Sequence, residues 1–139
     1  MFENILVPVD LSEKSLGALR KAVEIARVEK ATITLLHVIE TIQGVDFGEL
    51  EGFYRELEGK AERVMTEWCR ASETESIRVD RLVLYGRRSP EILQVAEERG
   101  CDLVVVTSHR VDAEHPGGGL GTISHQIGLL AGCSVLMLR

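Results

Sequence analysis

Short β-branched runs alternate along the whole chain with longer segments in which apolar residues recur every three or four positions. That alternation leaves few folds open, because a run of period two followed by a run of period 3.6 is the signature of a strand feeding a crossover helix. "NILVPV" reads as a strand, and in "EKSLGALRKAVEIARVEK" the residues Leu16, Leu19, Ala22, Val23 and Ala26 share one helical face. "ATITLLHVI" is a second strand. After the glycine-containing break "TIQGVDFGELEG", a long helix is predicted from about Leu50 to Cys69, with Phe53, Leu57, Ala61, Val64, Met65 and Trp68 inward and Glu51, Arg55, Glu58 and Glu62 on its wet face. "IRVDRLVLY" is a third strand and "SPEILQVAEERG" a short helix, started by Ser89 and Pro90 and closed by Gly100. "CDLVVVTS" is a fourth strand, whose unbroken valines suit a sheet covered on both faces. Ile123, Ile127 and Leu130 mark a last helix, and "CSVLMLR" a last strand. Right-handed crossovers between such units give a doubly wound α/β domain, a five-stranded, mainly parallel sheet with helices on both faces.

Composition narrows the function. With 139 residues, 45% of them hydrophobic, the chain has material for one core and one site, and residues 1–139 are read as a single soluble domain. The net charge of -6 argues against general nucleic-acid binding, so any anion site has to be built locally. No apolar run reaches the roughly 20 residues a bilayer span needs, and "MFENILVPVD" lacks the basic start of a signal peptide; the expected location is cytoplasmic, without membrane insertion. Cys69, Cys101 and Cys133 form no C-x-x-C pair and read as packed thiols. No nucleophile elbow, H-E-x-x-H or Walker sequence is present, and no catalytic residue is assigned.

In doubly wound sheets ligands sit beyond the carboxyl ends of the strands, at the point where strand order reverses. The candidate loops are therefore "PVDLSEK", "HVIET", "YGRRSPE" and "TSHRVDAEHPGGGLGT". In the last of these, backbone N–H groups from Gly119 to Thr122 precede a helix, whose dipole favours an anion; they would cradle phosphate, with the Thr122 hydroxyl donating one more bond. The competing reading is a loop tip in which Gly121 and Thr122 only start the helix. His109, Arg110 and His115 are donors able to meet an anion. His109 and His115, with Asp112 and Glu114, also form a set of divalent-ion ligand types, although a solvated polar loop accounts for them and no metal residue is assigned. His37 lies inside an apolar strand and reads as a satisfied core histidine; His125 falls on the polar side of its helix, toward water; Arg87 and Arg88 read as solvated loop charges.

Four blocks, "ILVPVDLSEKSLGALRKAVEIA", "ITLLHVI", "YGRRSPEILQVAEERGCDLVVVTSHR" and "LGTISHQIGLLAGCSVLMLR", follow one another in the order seen in the universal stress proteins, a Rossmann-like family of adenine-nucleotide binders that the chain resembles over essentially its whole length. The fold expected is then a sheet of order 3-2-1-4-5. The resemblance implies that Pro8 and Val9 line an adenine pocket, that the Val38 backbone reads the base edge, and that Gly86 and Ile92 approach the base. It implies that Asp10 accepts ribose hydroxyls; turn formation with Ser12 is its other reading. The phosphate side would be formed by Thr107, Ser108, His109, Arg110, Gly119, Gly121, Thr122 and Ile123. ATP is the first ligand expected and AMP the second, with Mg²⁺ arriving on ATP.

Nucleotide-holding members carry Gly-x-x-Gly, nine residues, then Gly-(Ser/Thr). Here Gly121 and Thr122 supply the ending, while Thr107 and Arg110 stand at the leading glycine positions, with ten residues between Arg110 and Gly121. Three functions stay open: a dimeric, adenine-nucleotide-responsive stress module; a nucleotide-free protein-interaction or small-anion-sensing module; and a slow ATP hydrolase. The apolar last strand, Ser134 to Leu138, is an edge that invites pairing across a two-fold axis, and a homodimer through it is expected.

Overall fold

The computed structural model describes residues 1–73, 76–108 and 122–139. Among these, five strands form one sheet: β1 (Asn4–Pro8), β2 (Thr32–Glu40), β3 (Val79–Gly86), β4 (Leu103–Thr107) and β5 (Ser134–Leu138). Their order is β3-β2-β1-β4-β5, and every neighbouring pair is parallel. The helices are α1 (Glu13–Glu29), α2 (Glu51–Ser72), α3 (Arg88–Glu98) and α4 (Ile123–Leu130), with a 3-10 turn over Phe47–Leu50 leading into α2.

Strand alternation sorts the core into two layers. Ile5 and Val7, Ile33 and Leu35, and Leu103 and Val105 face α1 and α2, where they meet Leu19, Ala22, Ala61 and Met65. Leu6, Leu36, Val38, Val104 and Val106 face the other way, onto Ile92, Val95 and Ile127 of α3 and α4. Helices thus cover both faces, which is why the strands read as near-continuous apolar runs.

Two local expectations are corrected. On α2 the buried aromatic is Tyr54, whereas Phe53 is 48% exposed; Tyr54 turns inward because its hydroxyl accepts the Ile42 N–H at 2.8 Å while its ring packs against Tyr85. The third helix starts at Arg88, with Arg87 as cap, so Ser89 lies inside the first turn, buried and bonded to the Gln126 side chain. Ile123, Ile127 and Leu130 lie in the last helix as expected, with Ile127 buried and the terminal Leu130 66% exposed.

The amino ends of β1 and β4 are tied by Asp102, whose carboxylate accepts the Glu3 N–H at 2.8 Å and the Asn4 N–H at 3.1 Å. Asp102→Ala is expected to lower unfolding free energy by about 1–2 kcal/mol, since two charge-assisted but partly solvated bonds are lost. Urea denaturation checks this, and an unchanged midpoint would mean that water replaces the carboxylate at no cost.

Candidate functional site

β1 is the central strand of the sheet, with β2 on one edge and β4 on the other. From β1 the chain turns to α1 on one face, whereas α4, the first described element after β4, lies on the other. The carboxyl ends of β1 and β4 are therefore parted, and a cleft of about 310 Å³ opens there. This is the switch-point position that doubly wound sheets offer a ligand.

Of the candidate residues, Pro8, Val9, Asp10, Val38, Ile92, Thr107, Thr122 and Ile123 line the cleft together. Gly86 and Ser108 stand outside the lining. Gly86 ends β3 at φ +150°, and the Glu91 carboxylate lies 2.8 Å from where a Cβ would be, so its conformation and close packing call for glycine. Ser108 is buried and donates its N–H to the Leu138 carbonyl at 2.6 Å, joining the ends of β4 and β5. His109, Arg110, Gly119 and Gly121 lie outside the described residues, as do Asp112, Glu114 and His115.

Leu36, Arg88, Val106 and Ser124 also line the cleft and were not singled out as site residues. Leu36 and Val106 were legible in principle, since strand alternation puts Leu36 on the face of Val38 and Val106 on that of Val104. Arg88 is exposed, as expected of a solvated charge, but it lies in a helix and not in a loop. As the first residue of α3 it also borders the cleft, its N–H reaching Glu40 Oε1 at 3.3 Å.

The first wall is held by a compact set of bonds. Val9 donates its N–H to the Leu36 carbonyl at 2.8 Å, and its own carbonyl faces His37 Nδ1 at 2.8 Å. A carbonyl only accepts, so Nδ1 carries the proton. Burial pushes the His37 pKa below its ordinary 6.5; the Val9 carbonyl opposes this and the positive Arg88 adds to it. Asp10 Oδ1 accepts both the Ser12 N–H at 3.0 Å and the Ser12 hydroxyl at 2.5 Å. Burial acts to raise the Asp10 pKa, but the Ser12 bonds outweigh it and hold the carboxyl below its ordinary value. Ser12 in turn caps α1, accepting the Ser15 N–H at 3.2 Å, so Asp10 anchors a turn as well as facing the cleft.

On the second wall Thr122 occupies the N-cap position of α4, yet its hydroxyl meets His125 Nδ1 at 2.5 Å and the Ser124 hydroxyl at 3.3 Å rather than a helix N–H. His125, expected toward water, is half-buried in this contact because three residues of helix bring its ring back over the cap. Among the described residues no group of three or more His, Cys, Asp or Glu is placed to hold a metal, and no helix is long and apolar enough to cross a membrane.

A model of the universal stress protein family matches residues 1–139. The chain belongs to the universal stress protein family. It is 30% identical over 142 residues to the universal stress protein A homolog 1 of Coxiella burnetii, covering 97% of this chain and 94% of the relative. The solved universal stress protein UspA of Lactobacillus plantarum superposes with a TM-score of 0.82 at 25% identity, covering 99% of this chain and 98% of that one. Two more distant family structures have the same fold: one in complex with cAMP (TM-score 0.67, 20% identity, 99% and 97% covered) and one from Archaeoglobus fulgidus in complex with dAMP (TM-score 0.68, 16% identity, 100% and 98% covered).

The histidine beside the cleft gives this universal stress protein a pH-dependent stability. Because the folded-state pKa of His37 lies below the unfolded value, the unfolded chain takes the proton first as pH falls. The His37 contribution is whole above about pH 6.5 and declines as pH drops through and below that value. Urea midpoints measured at pH 8 and pH 5 are expected to fall less for His37→Gln than for the parent. Equal falls would remove His37 as the source.

Proposed function

We propose that the cleft binds an adenine nucleotide and that the protein is a dimeric, ligand-responsive stress module acting in the cytoplasm. The observation that carries this reading is the lining itself. Apolar Pro8, Val9, Val38 and Ile92 offer surfaces for a base, Asp10 offers a carboxylate for sugar hydroxyls, and Arg88 offers a cation for phosphate, all around one cleft at the switch point. The cAMP and dAMP complexes of family members support the ligand class. ATP is the first ligand to test and AMP the second, with Mg²⁺ carried on ATP by phosphate oxygens.

Calorimetric titration of ATP, AMP and cAMP, with and without Mg²⁺, tests the reading. Saturable binding is expected, weakened about tenfold in Asp10→Asn by exchanging a charge-assisted bond for a neutral one, worth roughly 1.4 kcal/mol. Absence of heat and of a melting shift with every nucleotide would overturn it. A second reading is favoured by Thr107, which lines the cleft where nucleotide-holding members carry glycine. If Thr107→Gly gains nucleotide binding that the parent lacks, the side chain has closed the phosphate side and the protein works without nucleotide.

The dimer is proposed through β5, the edge strand beyond β4. Leu136 and Leu138 pack on the core, so a charge there would disturb folding; Met137, 42% exposed, is the cleaner probe. Met137→Lys is expected to halve the mass seen by light scattering while leaving the melting temperature within a few degrees. An unchanged dimer mass would place the interface elsewhere.

A further inference from the structure

The segment from Glu40 to Glu58, which leads from β2 into α2, concentrates two properties. It contains six carboxylates, at positions 40, 46, 49, 51, 56 and 58, against the single basic residue Arg55, which Glu51 holds at 2.6 Å. The whole chain has a net charge of -6, so nearly all of that excess sits in this one stretch. Among the carboxylates stand large apolar side chains in water: Ile42 at 49% exposure, Phe47 at 48% and Phe53 at 48%. Both phenylalanines adjoin Tyr54. Phe47 stacks on its ring at 4.9 Å and Phe53 lies 5.7 Å from it, while the Tyr54 hydroxyl holds the Ile42 N–H.

An aromatic platform of this kind, ordered by ring contacts and rimmed by one sign of charge, is a docking surface rather than stray exposure. From it we infer that the β2–α2 face binds a basic amphipathic protein segment, one that lays leucine-like side chains on Phe47 and Phe53 and sets lysines or arginines against Glu49 and Glu56. Charge decides between occupants. A second copy would bring its own carboxylates against these across a two-fold axis and be repelled, and an anionic lipid surface would be repelled likewise. A helix with one apolar and one basic face is attracted on both counts. The inference stands apart from the nucleotide reading, since none of these aromatic residues lines the cleft.

The test uses the full chain and a fluorescently labelled synthetic helix of leucines and lysines in amphipathic order, read by anisotropy. A helix with every leucine changed to serine and one with every lysine changed to glutamate are the controls. Saturable binding to the first peptide is expected, reduced at least tenfold by Phe53→Ser and by the charge reversal Glu49→Lys/Glu56→Lys, and at least tenfold weaker for both control peptides. These positions are exposed, and an unchanged melting temperature shows that the variants fold. Equal binding of the serine control would reduce the effect to diffuse attraction by acidic groups and overturn the inference. So would undiminished binding by Phe53→Ser, absence of binding to the parent, or loss of dimer mass in Phe53→Ser, the last of which would assign the face to self-association.

Discussion

The central strand is the constraint on which the rest of this molecule depends. β1 is hydrogen-bonded along both edges, and Ile5, Leu6 and Val7 are fully buried against helices on both sides. A strand so placed can have only apolar side chains, and it can carry chemistry only where it leaves the sheet. Pro8, Val9 and Asp10 are that exit. Since the described helix nearest in sequence after β1 lies on one face and that after β4 on the other, the exit opens into a crevice rather than against a neighbouring loop.

Precision at the exit comes from backbone bonds more than from packing. The Val9 N–H to the Leu36 carbonyl, and His37 to the Val9 carbonyl, lash the first residue beyond β1 to β2. Immediately afterwards Leu11 takes φ +70°, a left-handed conformation that a residue with a side chain rarely adopts. The two Ser12 bonds to Asp10 hold that turn, and the same Ser12 starts α1. One short turn thereby fixes a carboxylate at the cleft and initiates the helix that covers the sheet, so strain at Leu11 is offset by the elements on either side.

How far the sequence alone could reach follows from these particulars. Period-two and period-3.6 patterns report burial on a face, so the strand–helix alternation and the inward face of α1 are legible from them, while the strand order comes from the family resemblance. Tertiary contacts are not periodic, and there the reading failed. Phe53 and Tyr54 are adjacent aromatics on α2, and what selects Tyr54 is a hydroxyl partner supplied by the loop before it. Ser89 reads as a cap because serine before proline is a good helix start, but it is buried within the first turn and bonded to the half-buried Gln126 side chain. Arg88 reads as a solvated charge and is exposed; its place beside the cleft comes from the helix beginning one residue earlier. The cleft was legible as a position, through the topology; its full lining was not, because lining residues come from five separate elements and only folding brings them together.

Net charge illustrates the same limit at larger scale. A total of -6 fairly excludes a surface made for polyanions, yet it says nothing of where the charge lies. Here Arg88 stands at the cleft while the carboxylates gather along Glu40 to Glu58, and Glu40 touches both regions, its Oε1 accepting the Arg88 N–H. At the crevice Arg88 stands with the Asp10 carboxylate, so the charge there is mixed, whereas the stretch beside it is almost wholly acidic. The acidic stretch and the cleft therefore differ in local charge, and the two proposed ligand classes, a basic segment and an anionic nucleotide, differ in the same sense. Both lie at one end of one sheet, so a single small domain has room for the two proposed surfaces without a second domain.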